Sequence, residues 1–512
     1  MQTHTFLSYL TNEQIARQLC KEAGKYAFRS ALSTLGEELM AMMPHRKYWG
    51  KVGEYPDHHA QQRIWKRVTH MTLRHVKHHE AYDYVQRIET FAAELRKKAN
   101  DNSFLFGRPT VKALIKDANT NPVICRPICT YHQLHEKVLI AMMANYLRDQ
   151  LDHTFHHHSM AYRAPREWMG QRKVTNNKDA IRLILQWREQ HAEQPIWVAE
   201  CDISKFFDTL DHQVVKQVMR RSMQRIGMQD AALLHLFDSF VDAYDFAHDI
   251  FAKNDDPNFW NSIFGAERET DFCFQWIDNP PAQAVGLPQG AALSPLIANM
   301  VLNEIDEHVL EEKMQNGRIS DPELLYIRYC DDIVLMHTDL QQCTRLIQRY
   351  QQVLEQYALR YHPFKHVAQM KDGKALLADG NTYPYWTKAK SKAPYLWGDG
   401  MGDAVRWIGF LGYEISRTGQ VRIRKSSVAA QAIRLCERAT RVRYATGDIQ
   451  DLMLEKFCQK KVGGSTLEDI VDCPEQMPHY MRQRKRLEQL KERMVRRIKT
   501  KKNDIDVQKC NF

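Results

Sequence analysis

YCDDIVLM, residues 329–336, sets two adjacent carboxylates, Asp331 and Asp332, between an aromatic-cysteine pair and an apolar run. Neighbouring carboxylates repel, and partial burial pushes at least one toward the protonated state unless positive charge sits between them. A divalent cation is the usual source of that charge. The flanks LLYIRY (324–329) and IVLM (333–336) are rich in Ile, Leu, Val and Tyr and predict two short strands, with both acids at the hairpin tip between them. A bare Asp-Asp pair is most often an ordinary turn, because Asp favours turns through its own hydrogen bonds.

Two further segments change that balance. WVAECDISKFFDTLDH (197–212) runs from an apolar strand into Asp202 and then through paired aromatics to Asp208. GLPQGAALSPLIANMVLNEID (286–306) has Gly and Pro punctuation before a long apolar-periodic helix. Alone, the first is a strand end before a helix N-terminus, where acids are common, and the second a loop and a core helix. The three in this order are far more specific. Asp202 with Phe206 and Phe207, LPQG at 287–290 and YCDD at 329–332 resemble the successive palm motifs of reverse transcriptases. YALRYHPFK, ending at Lys365, resembles the lysine-bearing motif that follows, and WIGFLGYEIS from Trp407 resembles the primer grip. CRPICTYHQLHEKVL from Cys125 and MAYRAPR from Met160 resemble the finger motifs of the prokaryotic enzymes, so the resemblance covers about residues 105–440.

The resemblance implies an α+β right-hand polymerase with fingers, a palm built on an antiparallel sheet and a helical thumb. Residues 1–104 are then a helical N-terminal extension, 105–424 fingers and palm with insertions at about 242–284 and 367–406, and 425–512 a basic helical thumb and tail. Both insertions separate palm motifs and are expected to project as loops or small lobes. It also implies a two-magnesium site, with manganese as a substitute, at Asp202, Ile203, Asp331 and Asp332. Asp331 is the stronger ligand of the pair and Asp332 the supporting one. Lys365 is matched to the departing pyrophosphate and Phe207 to the steric gate against a 2′-hydroxyl, with Phe206 packed in the core. Gln289 and Gly290 are matched to the nucleotide and template, and Arg126 and Arg163 to a bidentate clamp on the triphosphate.

The 512 residues carry a net charge of +10, with 44% hydrophobic and 26% charged residues, as in a folded globular chain. No apolar run reaches the roughly 18 residues that span a bilayer, and MQTHTFLSYLTNEQ lacks the pattern of a secretory leader; both predict a cytoplasmic protein. The eleven cysteines are scattered singly, as expected of a reduced compartment, and Cys125 and Cys129 read as packed thiols because no second pair completes a zinc site. HTFHHHSMAYR (153–163) reads as a solvated or phosphate-facing histidine run.

From residue 425 onward, 20 Lys and Arg stand against 12 Asp and Glu. HYMRQRKRLEQLKERMVRRIKTKK (479–502) places Met481, Leu487, Leu490, Met494 and Ile498 near helical spacing. Beside a polymerase core this basic amphipathic helix is read as a nucleic-acid surface, with Arg493, Arg496, Arg497 and Lys499 as its phosphate contacts. The implied partners are deoxynucleotides, a template RNA of the dedicated non-coding kind and a DNA product. No membrane is implied, and homo-oligomerisation is left open. Among prokaryotic relatives the arrangement is most similar to the antiviral, unknown-group enzymes. The rival readings are a retron or intron-type reverse transcriptase or maturase, a template-independent terminal transferase, and an RNA-dependent RNA polymerase. Against the last, a small or polar residue is expected where Phe207 stands.

Overall fold

The computed structural model describes the chain apart from residues 1–4, 30, 51–57, 119, 268–269, 276–282, 312–313, 316–317, 372–373, 384–385, 446, 460–469, 472 and 501–512. It separates into two compact units. One comprises Met1–Phe155, Lys205–Asp306 and Gln356–Arg360, and the other His156–Ser204, Glu307–Glu355 and Tyr361–Phe512.

In the first unit, the helices Asn12–Ala23, His58–Lys77 and Asp83–Ala99 form the predicted N-terminal helical region and contact Leu134–Leu151 directly or through one another. Thr11 caps the first of these by accepting from the Gln14 amide, and Ile15 and Leu19 then fall on its buried face. Thr110–Asp117 and Val123–Thr130 form an antiparallel hairpin, and Phe272–Phe274 adds a parallel strand to its second arm. That third strand comes from the 242–284 insertion. Asp256 caps Pro257–Phe264 there, and Trp260, Phe246 and Phe274 pack with Cys125 and Cys129 of the hairpin. The insertion therefore does not simply project. Its aromatics share a core with the hairpin, which covers apolar area that a free loop would leave in water.

The second unit is built on a five-stranded sheet in the order Phe364–Lys365, Ser391–Leu396, Trp197–Asp202, Asp332–His337, Leu324–Tyr329. Trp197–Asp202 runs antiparallel to Asp332–His337, placing Val198, Glu200 and Asp202 opposite Met336, Val334 and Asp332. Residues two apart on a strand share a face. This face is apolar at the Val198 end, where it joins a core with Ile181, Ile184, Ile327 and Trp397, and acidic at the other. The second insertion, expected as a loop or small lobe, likewise does not simply project. Val367–Lys371, Lys374–Leu377 and Thr382–Tyr383 do form a small separate sheet, but Ser391–Leu396 inserts into the central sheet beside Trp197–Asp202. On it, Lys392 pairs with the buried Glu200, which also accepts a 2.6 Å hydrogen bond from the Tyr395 hydroxyl.

Within the histidine run His153 is exposed, whereas His156 to His158 pack against protein. His156 is buried, His158 contacts the Tyr326 carbonyl through Nδ1 and is pulled down to about 4 by burial, and His157 stacks on Trp168 with ring centroids 5.0 Å apart. Beyond the sheet, the antiparallel strands Trp407–Phe410, Tyr413–Ser416 and Val421–Ile423 lead into Lys425–Tyr444. Leu435, Ala439 and Val442 of that helix share a core with Leu487, Leu490, Met494 and Ile498 of Pro478–Thr500. The predicted amphipathic helix is thus present as far as Thr500, residues 501–502 lying outside the described part, and Arg493, Arg496, Arg497 and Lys499 occupy its exposed side. No described helix is long and apolar enough to cross a membrane.

Lys392 is 1% exposed and burial draws its ammonium pKa down, so the pair with Glu200 persists only while each neutralises the other. Lys392→Met should therefore cost about 3–5 kcal/mol, because it strands a buried carboxylate, whereas Glu200→Gln with Lys392→Met should cost less than the single change. The check is the chemical-denaturation midpoint of the three proteins.

Candidate active site

Asp202 ends its strand directly opposite Asp332, and Asp332 also pairs with Tyr329 across the hairpin. The tip is therefore Cys330–Asp331, with Asp332 already the first residue of the returning strand. Cys330 turns the chain with φ +58°, a left-handed conformation unusual for a residue with a Cβ. Side chains directly opposite in an antiparallel pair lie on one face, and two like charges there repel.

That repulsion is visible in the acids themselves. Enclosure by protein, and then the Asp202 charge, push Asp331 above the usual carboxylate range despite its hydrogen bonds. Enclosure followed by Asp331 and Asp202 push Asp332 up to about 7. Its side chain nevertheless stands open to solvent, so screening tempers the push.

The group that answers this charge was not foreseen. Lys390, immediately before the inserted strand, forms an ion pair with Asp202 Oδ2, and its charge also reaches Asp331 and Asp332. The same segment holds Asp202 through its backbone, since the Asp202 amide donates to Ser391 Oγ at 3.1 Å. The Asp202 carbonyl accepts from the His362 amide at 3.1 Å, and Ile203 is buried and bridges to Tyr361. Lys365, the lysine expected from its motif, pairs across strands with Lys392, and its ammonium lies over the Tyr383 ring, 5.3 Å from the centroid.

Among the described residues, no three His, Cys, Asp or Glu side chains stand close enough to enclose a metal ion. The donor set still suits magnesium, which binds oxygen, keeps several waters and takes further ligands from substrate phosphates. Acids such as Asp331 and Asp332, held above their usual pKa by enclosure and then by neighbouring carboxylates, are the groups a divalent cation would relieve.

The remaining candidates lie on the first unit, except Arg163. Phe206 is buried, while Phe207 is half-buried with its ring edge-on to Phe206 at 5.4 Å. The Leu287–Gly290 loop is tied down at both ends. The Leu287 amide donates to the Phe207 carbonyl at 2.7 Å, and the Gln289 carbonyl accepts from the Cys129 amide at 2.7 Å. Gly290 has φ +109°, and a Cβ there would stand 2.9 Å from the Cys129 carbonyl oxygen, so the loop can lie this close only with glycine. Arg126 is exposed on the Val123–Thr130 strand.

Arg163 does not fit the clamp expected of it. It is 5% exposed, and its Nη1 donates to the His156 and Ser159 carbonyls at 2.9 and 2.8 Å, so its donors staple a loop instead of facing solvent.

Residues 116–415 match the family described as reverse transcriptase (RNA-dependent DNA polymerase). The chain belongs to that family. Protein YkfC of Escherichia coli (strain K12) is 26% identical over 163 residues, which cover 27% of this chain and 34% of YkfC. The chain thus spans about a third of that relative's length. Telomerase of Candida albicans, solved with a TWJ fragment of telomeric RNA, overlays at 10% identity and a TM-score of 0.34 over 96% of this chain and 80% of that one. Apo telomerase of Candida tropicalis, truncated from its C-terminal domain, overlays at the same identity and TM-score over 62% and 55%. Overlays at so low a score say nothing about function.

Lys390→Met removes the ammonium paired with Asp202 and leaves Arg424 as the other cation that reaches Asp332. The metal-free protein should melt about 2 °C lower, and added magnesium should raise its melting temperature more than it raises that of the unaltered protein. Thermal unfolding in chelator and in magnesium measures both.

Proposed function

We propose that this chain is an RNA-directed DNA polymerase, a nucleotidyltransferase that joins deoxynucleotides to a 3′-hydroxyl on an RNA template. The observation that carries the reading is the direct opposition of Asp202 and Asp332, with Asp331 in the adjoining turn, inside a segment that matches the reverse transcriptase family. Asp202, Asp331 and Asp332, with the Ile203 carbonyl, would hold magnesium or manganese. When bound, the metal stabilises charge on the attacking and departing oxygens of the phosphoryl transfer. Asp202 is held from both sides of its backbone, so its carboxylate keeps its place as charge changes around it. Lys390, the counter-charge to Asp202, would meet the polyphosphate, a role that the motif resemblance gives to Lys365. Phe207 supplies an aromatic wall against a 2′-hydroxyl, the polar group that separates a ribonucleotide from a deoxynucleotide.

The architecture we infer is the right hand of fingers, palm and thumb. The thumb's exposed Arg493, Arg496, Arg497 and Lys499 follow the nucleic-acid backbone, and Arg126 contacts the triphosphate. The setting we infer is the bacterial cytoplasm, in antiviral defence with a dedicated non-coding RNA as template. That setting rests on the likeness of the motifs to the unknown-group enzymes.

Asp202→Asn or Asp331→Asn should abolish primer extension while leaving RNA affinity and melting temperature near those of the unaltered protein, because each removes charge and leaves packing intact. Full extension by either variant would sink the assignment. Phe207→Ala should raise the ratio of ribonucleotide to deoxynucleotide incorporation on the same template, and an unchanged ratio would remove Phe207 from the sugar-selecting role. Replacing Arg493, Arg496, Arg497 and Lys499 together with Gln should weaken RNA binding and flatten its salt dependence, by a slope of about 0.7 to 0.9 per lost contact. Affinity measured at several salt concentrations reads both effects.

A further inference from the structure

Asp208 has no part in the metal chemistry, yet its side chain is 9% exposed and its Oδ1 accepts from Gln289 Nε2 at 2.7 Å. A carboxylate only accepts hydrogen bonds, whereas a primary amide donates from one side and accepts on the other. Which way a glutamine amide points is thus decided by its partner. With an ionised Asp208 on its nitrogen side, Gln289 must turn its carbonyl oxygen the other way. Its backbone is fixed independently by the bond from the Cys129 amide and by Gly290. The loop position and the amide orientation are therefore set by separate contacts.

We propose that Asp208 is a positioning residue: it locks the Gln289 amide so that its carbonyl oxygen is presented as an acceptor to a hydrogen-bond donor of the incoming nucleotide. The proposal rests on the polymerase reading and assigns a polarity to one of its contacts. The donor is a hydroxyl or amino group of the nucleotide, because its phosphates offer only acceptors at neutral pH.

The lock has an acid limit. Burial raises Asp208 to about 6 against the opposing pull of the Gln289 hydrogen bond and of Lys205, Lys116 and Arg126. The other titratable groups facing it are Cys129 and Tyr244, both pushed far above neutral by burial. Lys205, drawn down to about 8 by burial, keeps its proton through the acid step and loses it only toward the alkaline end of the range tested below. As pH falls through about 6, Asp208 takes a proton. The surrounding cations then favour its bare oxygen on their side and its O–H toward Gln289, so the glutamine turns to present its NH2 group. Asp208→Asn imposes the same preference at every pH, since the introduced amide oxygen is drawn to the cations and its NH2 faces Gln289.

The test is single-nucleotide incorporation by the full chain on an RNA template with a DNA primer, from pH 5.5 to 8.5. The proteins are the unaltered chain, Asp208→Asn, Gln289→Ala and the double variant. At pH 8 Asp208→Asn should raise the deoxynucleotide KM about tenfold, the equivalent of one lost hydrogen bond, with kcat within twofold. The unaltered KM should climb toward the same value below pH 6, and the Asp208→Asn profile should be flat there. In the Gln289→Ala background, Asp208→Asn should change KM less than twofold.

An equal effect of Asp208→Asn with and without Gln289 would show a merely structural role and overturn the proposal. So would an acid rise in KM that survives in Gln289→Ala, which would belong to the nucleotide's own phosphate or to Asp331 and Asp332. Should Asp208→Asn fail to fold, Gln289→Ala decides alone, because it must erase that rise. An unaltered chain that extends no primer removes the polymerase reading, and the proposal falls with it.

Discussion

The placement of Asp202 directly across from Asp332 is the constraint on which the second unit turns. Two carboxylates on one sheet face repel, and the chain holds them there with a six-residue register and a two-residue turn whose first residue, Cys330, takes a left-handed conformation. Strain of that kind persists only where the surrounding structure over-determines it. Here the surrounding structure is a sheet whose apolar end is fully buried, so that Val198, Val334 and Met336 fix the register and the acids follow. A slip of one residue would carry Asp332 to the opposite face and the apolar residues out of the core.

Cationic side chains from a segment far along the chain complete this arrangement. Lys390 and Lys392, two residues apart like Asp202 and Glu200, meet those two carboxylates in order. Lys390 of the outer pair is largely open to water and so replaceable, while Asp202 is itself buried. The inner pair is buried with Tyr395 on it, and it holds the strand that carries the outer one. One strand therefore supplies both a rigid anchor and an exchangeable counter-charge.

On the first unit the same economy recurs with neutral groups. The Leu287–Gly290 loop is fixed through backbone hydrogen bonds, and only the Gln289 amide remains to be oriented. A buried carboxylate is a suitable partner for that purpose, since it can only accept. Its own ionisation is supported by Lys205, Lys116 and Arg126, which come from three separate stretches of chain.

The sequence by itself determined the family-bearing motifs, the strand-turn-strand around YCDD, the N-terminal helices and the amphipathic helix ending near Thr500. Each of these rests on local spacing: alternation for strands, three-and-four periodicity for helices, and acids placed between apolar runs. Only the tertiary structure decided which lysine meets the acids, because the strand behind Lys390 lies within a stretch that reads as an insertion and pairs with a strand nearly two hundred residues earlier. Burial was equally out of reach. Arg163 and His156 carry surface-type side chains, and only the carbonyls and rings packed around them show that they are internal. Asp208 was visible from the start as an acid beside two phenylalanines. Its task depends on Gln289 being folded onto it, and a contact between residues 81 positions apart leaves no local pattern to read.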